Sequence, residues 1–402
     1  MLIVKKFGGT SVADKERIFN VARRAAEDYR NGDDVILVLS AQGDTTDDLI
    51  AKAHEITNRP SKRELDMLMT VGEQISVSLM AMALQDMGIP AVSLNAWQVP
   101  MHTSRTYGGA RIKSIDSERI MTELDHRRVV VITGFQGVNR YDDYTTLGRG
   151  GSDTTAVAIA AALKADKCEI FTDVDGVYTA DPRIVKNARK LSEITYDEML
   201  ELASLGAQVL NNRSVELAKK FKVKLVVRSS LNDSEGTIVK GGVKVEKLYV
   251  SGVACDKKAA RISVLELEDI PGVAFNLFNM LAKHNINVDV IIQSVGRDGT
   301  KDITFTVNEN DLEDAVSILE EHQEELLFKS ISVNKDIAKV SIVGNGMMSH
   351  SGVAAKMFEA LYDAHINIGM ISTSEIKVSV LIDQKHAEKA MNAIHDKFGL
   401  EG

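Results

Sequence analysis

The sequence predicts an α/β protein in two parts, a large domain over the first ~235 residues and a smaller duplicated unit over the last ~150. Three observations carry that prediction. Short apolar runs alternate with helix-period stretches through the first part. A glycine turn, Lys6-Phe7-Gly8-Gly9-Thr10-Ser11, follows the first of those runs directly. Near the end, a block repeats 80 residues later: Gly272-Val273-Ala274 matches Gly352-Val353-Ala354, and Ile286-Asn287-Val288 matches Ile366-Asn367-Ile368.

Leu2-Ile3-Val4 reads as the opening strand, and a helical stretch starts near Val12. Adjacent glycines bring the backbone close to a ligand with no Cβ in the way. The free N–H groups of such a turn suit an anion, and Lys6 adds a point charge. A phosphate pocket and an ordinary βα turn both fit this segment, which is not a Walker loop because no Gly-Lys-Ser/Thr closes it. Val35 to Leu39 is a buried strand leading to Ser40 through Thr46, a place where open α/β sheets bind ligands. A capped loop explains that segment equally well. Glu64 to Met87 has helical period and stops at Gly88, with Pro90 beyond. Inside it, Glu73 sits among Met69, Val71, Ile75 and Val77, so its carboxylate is expected to be partly buried and to need a cation. Ala91 to Leu94 and Val129 to Ile132 are further strands, the latter ending in Thr133-Gly134-Phe135.

The most specific signal is Gly148-Arg149-Gly150-Gly151-Ser152-Asp153. An N-cap alone explains Ser152 or Asp153. It explains neither the glycines nor a loop arginine, whose guanidinium can grip a carboxylate with two parallel hydrogen bonds. Thr154 to Leu163, alanine-rich and apolar nearly all round, is predicted to be a buried helix. Glu169 to Thr172 is a strand, followed by Thr172-Asp173-Val174-Asp175-Gly176-Val177-Tyr178 and then Asp181-Pro182-Arg183. Those acids either orient a metal–phosphate group or make Asx turns. Lys224 to Val227 is expected to close the domain, and Asp233 to Gly242 reads as a linker.

Composition narrows the partners. A net charge of −9, from 48 basic and 57 acidic residues, argues against nucleic acid or an anionic membrane. Cys168 and Cys255 lie in separate segments with no metal spacing and read as reduced, buried residues. No apolar run is long enough to span a bilayer and no leader is evident, so the cytoplasm is the expected location. Each C-terminal repeat reads as strand, glycine turn, helix, strand, strand, helix. A unit that small needs a partner for its open sheet, and edge-to-edge packing within the chain or in a dimer would supply one.

Taken together, these motifs resemble an aspartate kinase (aspartokinase) of the amino-acid kinase superfamily with paired ACT domains. The resemblance rests on Lys6 to Ser11, Gly72-Glu73, Gly148 to Thr155, Thr172 to Arg183, Val227 to Ser230, Asp269 to Gly272 and Ile371 to Glu375. It implies a three-layer sandwich with a mostly parallel central sheet, plus two βαββαβ, ferredoxin-like ACT domains. The implied boundaries are 1–235 for the catalytic domain, 236–258 for a linker and connecting strand, and 259–334 and 335–402 for the ACT domains. The implied reaction is phosphorylation of the side-chain carboxylate of L-aspartate by ATP with Mg2+, the metal held mainly by the phosphates. An ionised carboxylate needs no general base, so alignment and charge neutralisation suffice.

By the same resemblance, Lys6, Phe7, Gly8 and Gly9 meet the phosphates, while Asp173 orients Lys6 or the metal–phosphate group. Thr172, Asp173, Tyr178, Asp181 and Arg183 meet the nucleotide. Arg149 takes the α-carboxylate of aspartate and Glu73 its ammonium, with Ser40, Thr46, Phe135, Ser152 and Asp153 lining the pocket. Asp269, Gly272, Ala274, Gln293, Asn287 and Asn367 are the implied effector residues, for lysine, threonine or both, in a homodimer or homotetramer formed through the ACT domains. One stretch departs from the family pattern. Gly206-Ala207-Gln208-Val209-Leu210-Asn211-Asn212 lacks a lysine and a His-Pro pair common in relatives, which weakens the expected phosphate contact unless Arg213 compensates. Another amino-acid kinase and an inactive amino-acid sensor are the alternatives. A protein kinase has no support, since neither His-Arg-Asp nor Asp-Phe-Gly occurs.

Overall fold

The computed structural model describes residues 1–205, 209–242, 249–295, 299–347 and 350–401. It divides into two compact units, residues 1–178 with 190–245, and residues 179–189 with 246–402.

In the first unit the strands are β1 (Leu2–Phe7), β2 (Asp34–Leu39), β3 (Ala91–Leu94), β4 (Met101–Thr103), β5 (Ile112–Ile115), β6 (Val129–Thr133), β7 (Gln136–Val138), β8 (Tyr144–Thr146), β9 (Lys167–Thr172), β10 (Glu193–Thr195), β11 (Leu225–Ser229) and β12 (Thr237–Lys240). The helices are α1 (Lys15–Arg30), α2 (Thr45–Ile56), α3 (Lys62–Asp86), α4 (Glu118–Asp125), α5 (Gly151–Ala162), α6 (Tyr196–Ser204) and α7 (Asn212–Phe221). Among the described residues, eight strands form the main sheet in the order β10-β12-β11-β9-β1-β2-β6-β3. Every neighbouring pair in it is parallel except β11 with β12. Parallel strands buried on both faces read as unbroken apolar runs, which is why these segments stand out in the sequence. Val35, Leu37, Leu39, Val129 and Val131 face α1 and α3 in one core layer. Helix α5 covers β1, β2 and β9 from the opposite face. Residues Gly151 to Ala160 of α5 are all buried, as its apolar circumference predicts.

A second sheet, β5-β4-β7-β8, stands apart from the main one. Its short strands carry little periodicity and left no signal in the sequence. Helix α3 is long and apolar enough to cross a membrane by length and composition. However, 56% of its most apolar window is buried, which makes it a core helix.

The second unit contains β13 (Gly252–Asp256), β14 (Ala259–Glu268), α8 (Val273–Lys283), β15 (Val288–Val295), β16 (Thr300–Asn308), α9 (Leu312–Glu321), α10 (Gln323–Leu326), β17 (Ser330–Asn334), β18 (Ile337–Val343), α11 (Val353–Asp363), β19 (Met370–Thr373), β20 (Lys377–Asp383) and α12 (Ala387–Phe398). Its two antiparallel sheets run β15-β16-β14-β17 and β13-β18-β20-β19. The repeat is thus two βαββαβ units, with a twist in connectivity: β13 precedes the first unit in sequence yet completes the sheet of the second. Among the described residues the two sheets do not pair edge to edge. A small cluster of Ala259, Val290, Ile337, Met370 and Leu381 joins them instead, and Lys339 pairs with Asp289 across the join.

Segment 236–258, expected as a linker and connecting strand, divides between the units. Thr237–Lys240 alternates buried and half-buried residues and adds β12 to the main sheet. Residues 179–189, expected in the catalytic domain, belong with the second unit. Ala180 and Val185 enter its core, Val253 N donates to Thr179 O (2.7 Å), and buried His395 meets the Thr179 hydroxyl through Nε2 at 2.9 Å.

Candidate active site

The C-terminal ends of β1, β2 and β6 and the N-terminus of α5 enclose a cavity of about 520 Å³ in the first unit. Its lining includes Lys6, Gly8, Gly9, Ser40, Thr46, Glu73, Phe135, Arg149, Ser152 and Asp153. Parallel β1, β2 and β6 end level with one another, which brings their following loops together.

Each group is placed for a local reason. Lys6 sits at the end of β1, and its Nζ pairs with Asp153 at the start of α5 (2.7 Å). Asp153 thus occupies the first turn of α5, where a carboxylate complements the helix dipole. Gly9 is required by close approach: a Cβ there would lie 2.5 Å from Ala41 O. Its neighbour Gly8 also lines the cavity, so this cradle offers backbone rather than side chain. The Ser40 hydroxyl donates to Ser152 Oγ (3.0 Å), tying the β2 loop to α5. The N–H of Phe135 donates to Thr155 Oγ1 (3.1 Å).

Glu73 lies on α3 and is only 3% exposed. Its Oε1 accepts from Ala41 N (3.3 Å), and Oε2 has no hydrogen-bond partner among the described residues. Burial pushes its carboxyl up to about 7. Such a group, on the wall of a cavity, has room to accept a hydrogen-bond donor or a cation. Arg149 lines the same cavity and is exposed, and among the described residues its guanidinium has no partner. Gly150 beside it has φ of +70°, and any Cβ there would overlap the Asn211 carboxamide. A cation, a glycine-lined backbone turn, a buried carboxyl group and an exposed guanidinium therefore face one space. That set can hold a zwitterionic amino acid next to a phosphoryl donor.

The family resemblance of the chain is matched by comparisons over its whole length. Residues 1–229 match the amino acid kinase family model, and residues 260–326 and 340–398 each match an ACT domain model. The aspartokinase of Bacillus sp. strain MGA3 is 50% identical over 402 residues, 100% of this chain and 98% of its own length. The chain belongs to the aspartokinase family. The aspartokinase of Helicobacter pylori strain J99 is also 50% identical, over the full length of both chains. Among solved structures, Escherichia coli aspartokinase III in complex with aspartate and ADP (R-state) superposes with a TM-score of 0.84, at 26% identity, covering 99% of this chain and 100% of that one. The same enzyme in complex with lysine and aspartate (T-state) gives 0.79 at 27% identity, with 99% coverage of both chains. The activity is accordingly that of an aspartate kinase, a phosphotransferase with a nucleotide substrate and a carboxyl acceptor.

The remaining expected residues fall elsewhere. Asp173 was expected to orient Lys6 or the metal–phosphate group; the ion pair that Lys6 makes here is with Asp153. Asp173 stands at the end of β9, accepting from Thr172 Oγ1 (2.9 Å). Tyr178 OH donates to Asp175 (2.7 Å). Asp181 and Arg183 lie in the second unit and pair with each other at 2.7 Å. Gln208 lies outside the described residues. Arg213, considered as a substitute phosphate contact, donates to the carbonyls of Leu147 (2.5 Å) and Ala110 (2.9 Å) instead. Asn212 donates to Ser204 Oγ (2.9 Å).

In the ACT unit, Gly272 has φ of +98° and caps α8, which carries Ala274, while Asp269 pairs with Lys301 at 2.6 Å. Gln293 lies opposite Ile303 on the edge strand β15, and Asn287 and Asn367 follow α8 and α11. Several lining residues carried no motif, among them Ile50, Met69, Gly108 and Thr146. Of these, Thr146 had a detectable signal: it lies three residues before Arg149, at the end of a short Thr-rich run.

Proposed function

We propose that the cavity holds L-aspartate with its α-carboxylate on Arg149 and its ammonium on Glu73, and that Lys6 and the Gly8–Gly9 backbone face the γ-phosphate of ATP. The observation that supports this most is the unpartnered Oε2 of buried Glu73, in one cavity with Lys6 and Arg149. With both ends of the amino acid held, the side-chain carboxylate is the one free to attack. It is ionised at neutral pH, so no residue need remove a proton. Phosphoryl transfer then depends on in-line placement and on neutralising the equatorial oxygens, which Lys6 serves. The product is 4-phospho-L-aspartate. Mg2+, carried on the phosphates, supplies further charge neutralisation. Ser40, Thr46, Phe135 and Ser152 shape the substrate pocket, and Asp153 keeps Lys6 in place until phosphate arrives. Thr172, Asp173 and Tyr178 are kept as the nucleotide residues of the first unit on this reading.

The ACT units are read as sensors of lysine, threonine or both, through Asp269, Gly272, Ala274, Gln293, Asn287 and Asn367. The lysine complex of E. coli aspartokinase III supports lysine as an effector. Strands β15 and β19 are outer strands of their sheets, carrying exposed Ile291 and Ile371, which favours a homodimer or homotetramer through these domains. On this reading the enzyme works in the cytoplasm, upstream of lysine, threonine and methionine. Hydroxylamine trapping tests the reading: hydroxamate should form only with both aspartate and Mg–ATP present. Nucleotide hydrolysis indifferent to aspartate would contradict it.

A further inference from the structure

Two polar side chains outside the cavity hold the strand that delivers Arg149. Asp66, on α3, is 1% exposed. Its carboxylate accepts from Gly108 N (3.1 and 2.9 Å), Thr146 N (2.9 Å) and Thr146 Oγ1 (2.8 Å). Arg213, on α7, donates to Leu147 O and Ala110 O. These contacts fall on the same crossing, because Ala110 N also donates to Thr146 O (2.8 Å). The anion takes the N–H donors and the cation takes the carbonyls. Asn211 adds a third contact, its carboxamide donating to Arg149 O (3.0 Å).

Asp66 and Glu73 are seven residues apart on one helix, two turns along the same buried face. Thr146 is three residues from Arg149. A continuous path of helix and hydrogen bonds therefore runs from Glu73 along α3 to Asp66, across to Thr146, and on to Arg149. Arg213 and Asn211 support the far end of that path.

We propose that Asp66 and Arg213 are positioning residues that set the spacing between Glu73 and Arg149. They thereby select aspartate over acidic amino acids one methylene longer. The proposal rests on Glu73 and Arg149 being the two grips on the substrate. A hydrophobic pocket alone separates one methylene by only about 10–200-fold. Two charged grips at fixed spacing add to that, because a displaced grip leaves a buried carboxylate unpaired.

The test uses full-length Asp66→Asn, Arg213→Lys and Arg149→Ala. Asn at 66 turns an N–H group toward the N–H groups of Gly108 and Thr146, and Lys at 213 keeps the charge but loses the fork. Each clamp variant should raise KM for aspartate about tenfold, leave KM for Mg–ATP within about twofold, and lower the aspartate-to-glutamate ratio of kcat/KM about tenfold. If Asp66→Asn does not fold, Arg213→Lys decides. Unchanged KM and ratio overturn the proposal. So does a parallel rise in both KM values with a fall in Tm, the mark of a merely structural role. Arg149→Ala separates the layers: if it raises KM for aspartate while the clamp variants do not, the clamp alone fails. If Arg149→Ala leaves KM unchanged, the substrate reading fails and the clamp falls with it.

Discussion

Glu73 is where burial and function meet most directly. Its carboxyl, pushed up to about 7 by burial, is largely protonated in the free protein below that pH. A neutral acid cannot pair with an ammonium group. The prediction is that kcat/KM for aspartate falls about tenfold per pH unit as pH drops below ~7, measured at saturating Mg–ATP. Glu73→Gln should raise KM for aspartate about tenfold or more and flatten that dependence. The same group leaves a stability signature of fixed sign. Its folded value is raised, so the folded state holds the proton more tightly than the unfolded chain does. The contribution is fully present below the ordinary glutamate range and is lost as pH rises through about 7. Denaturant titrations of wild type and Glu73→Gln, at pH 5 and pH 8, should show the wild type losing stability relative to the variant at the higher pH. Lys6 is the second residue to probe. Lys6→Met should lower kcat by about 10²–10³-fold with little change in KM for aspartate, since its charge acts on the transferring group. A large rise in KM for aspartate with kcat intact would instead place Lys6 on the substrate.

At the scale of elements, legibility followed burial. The strands β1, β2, β6, β9 and β11 were readable as apolar runs because both faces of the main sheet are covered. Helix α5 was readable because its first ten residues are all buried. The glycine-arginine loop stood out because close approach to Asn211 and φ of +70° at Gly150 leave room for glycine alone. By contrast, β12 sits in a polar, glycine-bounded stretch whose strand character comes from pairing with β11 and β10, not from its own composition. The second-unit placement of 179–189 was equally hidden. It depends on Ala180, Val185 and Thr179 meeting partners more than sixty residues away, such as His395. Asp66 left only a faint mark, one carboxylate in the apolar run Leu65 to Met69. The join of the two ACT sheets offers an element-scale prediction. Leu381→Ala should destabilise the second unit by about 2–3 kcal/mol, read as an earlier calorimetric transition. Basal turnover without effector should change little, because no residue of this cluster lines the cavity.

For the molecule as a whole, the proposed chemistry belongs to the first unit and the proposed sensing to the second. Linkage requires that any inhibitor binding the ACT units stabilise them and, reciprocally, that the inhibited state bind the inhibitor more tightly. Lysine or threonine at 100 times its Kd should stabilise the protein by about 2.7 kcal/mol, seen as a rise in Tm. Neither amino acid raising Tm would remove the sensing assignment while leaving the kinase intact. The most direct measurement is steady-state hydroxamate formation as a function of aspartate concentration, in wild type, Arg149→Ala and Glu73→Gln, at saturating Mg–ATP. The account predicts aspartate-dependent hydroxamate in wild type and a KM for aspartate raised about ten- to a hundredfold in each variant, with KM for Mg–ATP nearly unchanged. Wild-type turnover with the variants' KM for aspartate unmoved would contradict it, since the substrate would then be held by groups other than these two.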